Sequence, residues 1–321
     1  MAKDVVALGE LLIDFTENGT SSQGNPVLEA NPGGAPCNVL ALLCGLGHDV
    51  SFIGKVGKDR FGKQLKEVLT EVGIGTEALM EDEDVHTTLA FVHTYPDGDR
   101  DFSFYRNPGA DMMLRRDEIP EELIKSAKIF HFGSLSMTSE PVKGATMKAL
   151  KIAKDAHITI SFDPNLREPL WSSLEEAKRE IAQGMCFCDI LKISDNEILW
   201  FTGIDDYDAA VAAILDEFPQ IKIVFLTMGR EGSVCYQNGR KVTAPPFIQK
   251  NTMETTGAGD TFCAGVLHYI LDHGLREYTE EEMTEMLEFA NAAASIITTR
   301  RGALRVMPSR EEIEQLVKSR N

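Results

Sequence analysis

Basic residues are the scarcer charge in this 321-residue chain: 32 Lys and Arg face 50 Asp and Glu, a formal net charge of −18. A nucleic-acid binder needs a basic footprint to neutralise phosphates, so that class is argued against. A small anion can still bind, because a local nest of backbone N–H groups outweighs a distant negative surface. Long hydrophobic runs are missing as well; nothing approaches the ~20 apolar residues of a membrane span. The opening MAKDVVALGE sets Lys3, Asp4 and Glu10 around a short apolar run, which reads as a first β-strand rather than a secretory signal. The six cysteines (37, 44, 186, 188, 235 and 263) contain no CxxC pair, only the CxC of Cys186 and Cys188. They are expected to be reduced, buried thiols of a cytoplasmic protein.

What is present is a core-forming composition, 43% apolar and 26% charged, with no repeat or linker dividing it. Apolar runs of strand length alternate with helix-period stretches, the pattern of an α/β fold with a parallel sheet. Strands are expected at 5–8, 50–53, 128–132, 158–162, 190–193 and 221–226. Helices are expected at 38–46, 61–72, 141–154, 173–183, 207–217, 260–271, 281–297 and 309–318. Two segments break the rhythm. Residues 12–32 read as a polar loop, and 88–105 as a hairpin about Pro96-Asp97-Gly98-Asp99. A hairpin with an apolar face needs cover, so it is expected to act as a lid, an oligomer contact, or both.

The stretch richest in chemistry is Thr255-Thr256-Gly257-Ala258-Gly259-Asp260, which runs into an apolar helix. Gly-Ala-Gly at a helix start leaves several N–H groups aimed at one place, where the dipole favours an anion. An anion hole beside an aspartate suits phosphoryl transfer to an alcohol: amides hold the migrating group while the carboxylate takes the hydroxyl proton. A capped Gly-rich turn is the plainer alternative. Gly33-Gly34-Ala35-Pro36-Cys37-Asn38 likewise puts glycines before a helix, with the Asn38 amide able to donate and accept. Asp14 lies beyond the first strand, and Asp163-Pro164-Asn165-Leu166-Arg167 ends another, where open α/β sheets bind ligands. Arg167 can fork onto phosphate oxygens. The P-loop-like run 57–64 is discarded, because Gln64 stands where Ser or Thr must reach magnesium.

The pair of motifs at 33–38 and 257–260 resembles the ribokinase-like (PfkB) carbohydrate kinases, and the similarity runs over essentially the whole chain. The stretches 52–57, 104–112, 129–134 and 163–171 are similar to fructokinases in particular. The resemblance implies a three-layer α/β/α fold with a mainly parallel central sheet. It implies one domain over 1–321, with a small β lid formed by about 12–32 and 86–108. Asp260 would be the general base, Gly257, Ala258 and Gly259 the anion hole, and Arg167 would face the transferred phosphate. Asp14, Gly33, Gly34 and Asn38 would hold the sugar, with Phe104 and Arg106 closing over it. Asn196, Thr227, Gly229, Gly232 and Asn291 would border ATP, and Glu197 would touch its Mg²⁺ through water. A K⁺ site beside the anion hole would draw on backbone at Glu254, Thr256, Ile297, Arg300 and Gly302.

The leading expectation is therefore ATP-dependent conversion of fructose to fructose 6-phosphate by a homodimer joined through its lids, with no nucleic-acid or membrane partner. The same chemistry on ribose or 2-keto-3-deoxygluconate stays open, since Arg106 would also suit a sugar carboxylate. A non-catalytic sugar-binding regulator is the alternative from a different class.

Overall fold

The computed structural model describes residues 2–94 and 100–320. The chain enters through β1 (Lys3–Leu8), β2 (Leu12–Thr20) and β3 (Pro26–Gly33), then α1 (Ala35–Gly45), β4 (Val50–Gly57), α2 (Arg60–Val72) and β5 (Gly75–Asp82). A hairpin of β6 (Leu89–Thr94) and β7 (Arg100–Tyr105) leads through α3 (Glu121–Lys125) to β8 (Ala127–Gly133), α4 (Val142–Asp155) and β9 (Thr159–Asp163). There follow α5 (Leu174–Met185), β10 (Ile190–Ser194), α6 (Asp195–Thr202), α7 (Tyr207–Glu217) and β11 (Ile223–Thr227). The last elements are β12 (Ser233–Gln237), β13 (Arg240–Ala244), α8 (Ala258–His273), α9 (Glu280–Ile297) and α10 (Arg310–Lys318).

Nine strands form the main sheet in the order β13-β12-β11-β10-β9-β8-β1-β4-β5. All neighbours are parallel except β11-β12 and β12-β13. Strand order reverses at β1, which lies between β4 and β8, and the carboxyl ends of the strands open a crevice there. Helices cover both faces, so strand residues are buried on both sides and read as unbroken apolar runs. In β1, Val5 and Ala7 join the core under α1, α8 and α9, whereas Val6 and Leu8 join the core under α4 and α5.

Each expected strand and helix is present within a few residues of its expected ends. Residues 12–32 are a correction: they hold β2 and β3, not a loop. With β6 and β7 these make a second sheet, ordered β3-β2-β6-β7. The 88–105 hairpin is real, pairing Ala90 with Phe104; the turn expected at 96–99 lies outside the described residues. At the P-loop look-alike, the Gly57 N–H is bonded to Thr87 Oγ1 at 3.0 Å and Asp59 caps α2, which removes any phosphate cradle. All six cysteines are free thiols, but Cys186 is exposed and Cys44 half-buried, so burial was over-predicted there. No helix among the described residues is long and apolar enough to cross a membrane.

Helix α8 is wedged between α1 and α9. At Gly265 the α9 backbone comes so close that a Cβ would lie 2.8 Å from the Cα of Ala290. That close packing sets the height at which the first turn of α8 meets the crevice.

Candidate active site

Two glycines shape one side of the crevice. Gly34 has φ +133°, and a Cβ there would lie 2.3 Å from the Glu10 carbonyl oxygen, so only glycine fits. A Cβ on Gly33 would lie 2.3 Å from Asp14 Oδ2; the missing methyl is the space Asp14 occupies. The Ala35 N–H donates to Glu10 Oε1 at 2.8 Å, fixing the entry to α1. One turn on, Asn38 Nδ2 donates to Asp260 Oδ2 at 2.8 Å, while Asn38 Oδ1 is buried with no protein partner. Burial raises the Asp14 and Glu10 carboxyls to about 7; around Asp14 the Arg167 charge opposes that rise.

Gly257 adopts a left-handed φ of 76° as it leads into α8. The Ala258 N–H folds back on the Thr255 carbonyl at 3.2 Å. Among the described residues, the N–H groups of Gly257, Gly259 and Asp260 donate to nothing. The N–H groups of 257, 259 and 260 are thus the ones left for the expected anion hole, while that of Ala258 closes the turn. Burial raises the Asp260 carboxyl above its ordinary range, and the Asn38 hydrogen bond, Lys192 and Arg167 pull it back.

Lys192 went unnoticed in the sequence. It projects from β10 so that a Cβ on Gly259 would be 3.1 Å from its ammonium, and it pairs with Asp163 Oδ2 at 2.9 Å. Both side chains are under 10% exposed. Burial alone would strip the lysine of its proton, but Asp163 and Glu197 outweigh that and hold its pKa above the ordinary value. A lone lysine inside the apolar run Ile-Leu-Lys-Ile was the available signal, because a buried charge needs a partner.

A cavity of about 350 Å³ is lined by Asp14, Gly34, Asn38, Phe104, Thr256, Gly257 and Asp260. A second, of about 510 Å³, runs from Ala258 past Glu197, Thr227, Gly229 and Gly232 to Asn291. Arg167, Lys192 and Gly259 line both. The two chambers therefore meet at the anion hole.

Several expected contacts are placed elsewhere. Arg106, expected to close over the sugar, is buried with its guanidinium on Asp111 (2.7 Å), Thr138 and the Leu135 carbonyl. Asn196 is exposed and lines neither chamber; its neighbours Ser194 and Asp195 line the second. Glu197 Oε2 accepts from the Ser194 N–H and hydroxyl, and Oε1 from the Leu166 N–H, so its carboxylate is largely spent on the protein. Asn291 lines the second chamber, but its amide is bound to Ser233 and the Ala244 and Pro245 carbonyls. Around the expected K⁺ site, Gly302 donates to Glu254 Oε1 at 2.8 Å and the Glu254 N–H to the Thr298 carbonyl, joining the two segments. The Ile297 carbonyl accepts from the Arg300 N–H at 3.0 Å. The Arg300 guanidinium turns away, to the Val306 and Met307 carbonyls and Glu312.

An α/β sheet with a twin-chambered crevice and an anion hole at the junction defines a two-substrate group-transfer protein. Residues 2–310 match the pfkB family of carbohydrate kinases, and the chain belongs to that family. It is 40% identical over 315 residues to "Fructokinase-1" of Zea mays, covering 98% of this chain and 97% of that one. The crystal structure of an ATP-bound fructokinase from Xylella fastidiosa superposes with a TM-score of 0.89 at 28% identity, over 100% of this chain and 99% of the other. A double-mutant fructokinase from Vibrio cholerae O395, in fructose-, ADP- and potassium-bound form, gives 0.85 at 25% identity over 98% and 99%. The fold is ribokinase-like.

Proposed function

We propose that this chain transfers the γ-phosphate of ATP to fructose, giving fructose 6-phosphate, with Asp260 as general base. The observation that carries the reading is the junction of the two chambers at Gly259 and Lys192, beside a carboxylate steered by Asn38. Fructose fits the first chamber, where Asp14 and Asn38 Oδ1 accept hydrogen bonds from its hydroxyls and Phe104 covers it. ATP fits the second, its terminal phosphate over the N–H groups of Gly257, Gly259 and Asp260.

Asp260 takes the proton as the hydroxyl oxygen attacks the γ-phosphorus, whose bond to the β–γ bridging oxygen breaks and releases ADP. Lys192 and Arg167 offset the charge that builds on the migrating group. The protein supplies position and charge, with no covalent intermediate. Among the described residues, no set of three imidazoles, carboxylates or thiols spaced for a metal lies at the crevice. Mg²⁺ would come with the nucleotide, and Asp195 and Glu197, which line the second chamber, would hold it through water. Backbone carbonyls near 254–256 and 297–302 would hold a K⁺ ion, which would supply fixed positive charge.

The sequestered Arg106 favours a neutral sugar over a sugar acid, since its guanidinium is already matched by Asp111. The 12–32 and 86–108 stretches act as a lid on one domain, and the free thiols suit the cytoplasm. ADP release across fructose, ribose and 2-keto-3-deoxygluconate tests the substrate, and fructose should be fastest. Asp260→Asn should bind both substrates and lose at least ~10²-fold in turnover. The wild-type rate should fall on the acid side at a pH above the ordinary aspartate range, because protonated Asp260 cannot act as base. Near-normal turnover in the variant removes Asp260 from the mechanism.

A further inference from the structure

Away from the crevice, the turn between α1 and β4 meets the far half of α8 through two histidines. His48 Nε2 lies 2.7 Å from His268 Nδ1, so one hydrogen is shared between the rings. Their outward nitrogens each face a carboxylate. His48 Nδ1 is 3.8 Å from Asp4 Oδ2, and His268 Nε2 is 3.6 Å from Asp272 Oδ2. Asp272 sits one turn beyond His268 on α8 and is about half exposed, whereas both histidine side chains are at most 10% exposed. Phosphoryl transfer makes no use of this cluster.

We propose that His48, His268 and Asp272 form a binding site for a divalent transition-metal ion of the zinc type. Each residue offers one ligand atom within 4.8 Å of the other two. Tetrahedral zinc with ligands at ~2.0–2.1 Å needs edges of roughly 3.4 Å; the ion would replace the 2.7 Å hydrogen bond between the rings and draw the Asp272 carboxylate in by side-chain rotation, with water as the fourth ligand. Two imidazoles and one carboxylate match the donor preference of zinc rather than of magnesium or calcium. Asp4, itself held by Lys128 at 2.8 Å, stands behind His48 as the outer carboxylate that orients a metal-bound imidazole.

Arg310 is the nearby cation, and its guanidinium donates to the Leu46 carbonyl at 3.3 Å. The ion would tie α8 to the end of α1. Those helices are already joined at the crevice by Asn38 and Asp260, so the metal would brace the same pair from the opposite end.

The test uses the untagged full chain, stripped with a chelator and titrated with Zn²⁺ alone against a chromophoric competitor. One equivalent should bind, the melting temperature should rise, and four-coordinate Co²⁺ should show its visible absorption in place of zinc. His48→Gln and Asp272→Asn should each weaken binding by about tenfold or more while leaving metal-free turnover unchanged. If His48→Gln fails to fold, the half-exposed Asp272→Asn carries the same readout. Wild-type protein that takes up no zinc, or variants that bind it as tightly as wild type, would overturn the proposal.

Discussion

Lys192 and Asp163 show how one buried pair can serve both stability and chemistry. A lysine enclosed in a parallel sheet holds its charge only if a carboxylate meets it, and Asp163 does so at 2.9 Å. Asp163 Oδ1 is left without a protein partner. Removing the lysine alone strands a buried carboxylate, a loss of about 3–5 kcal/mol. The informative variant is therefore Lys192→Met combined with Asp163→Asn. It should fold, keep a fructose KM near wild type, and lose about 10²–10³-fold in kcat, the usual effect of deleting one charge-stabilising donor. Circular dichroism and steady-state kinetics check it. Turnover within a few-fold of wild type would reduce the lysine to a partner for Asp163. Glycines single out Asp260 and Asn38 in the sequence because they mark where backbone can approach closely, and the two side chains meet at 2.8 Å. Nothing in the chain order shows that Asp111 holds the Arg106 guanidinium.

The β2–β3 half of the small sheet is the part that the residue pattern concealed. The β2 and β3 residues Asp14, Thr16 and Asn31 share one face and are polar because Asp14 lines the first chamber and Asn31 donates to Thr16 at 2.8 Å. An alternation that normally separates core from solvent is lost when the inner face is itself a binding surface. The β1 and β10 strands were legible because helices bury them on both sides. The same sheet offers a test of fit. Gly33→Ala sets a methyl where Asp14 Oδ2 lies and should swing that carboxylate off the sugar. Charged hydrogen bonds contribute ~1.5–3 kcal/mol each, so the fructose KM should rise about tenfold or more, with the ATP KM nearly unchanged. An unchanged fructose KM would mean that Asp14 does not hold the substrate.

Across the whole molecule, a net charge of −18 opposes both the approach of ATP and the meeting of two copies. In the proposed function the anion is admitted locally, by Lys192, Arg167 and the α8 amides, where the two chambers meet. Self-association needs an apolar surface, and the face of the small sheet turned from the crevice supplies one. Phe15 stacks on Phe91 at 5.0 Å, Phe91 meets Tyr105 at 5.1 Å, and Tyr105 is 67% exposed. Leu28 lies on the same face, two residues along from the Phe15–Ala30 pair, and is 42% exposed. We propose that two lids pack there to form a homodimer. Sedimentation at micromolar concentration should give twice the chain mass, and Tyr105→Asp with Leu28→Glu should give the chain mass. Because both partners are strongly negative, raising salt from low ionic strength should tighten the wild-type dimer, as screening shortens the repulsion to ~10 Å at 0.1 M. An assembly held instead by ion pairs would loosen under the same change, and a wild-type monomer at every salt concentration would leave the lid as a cover alone.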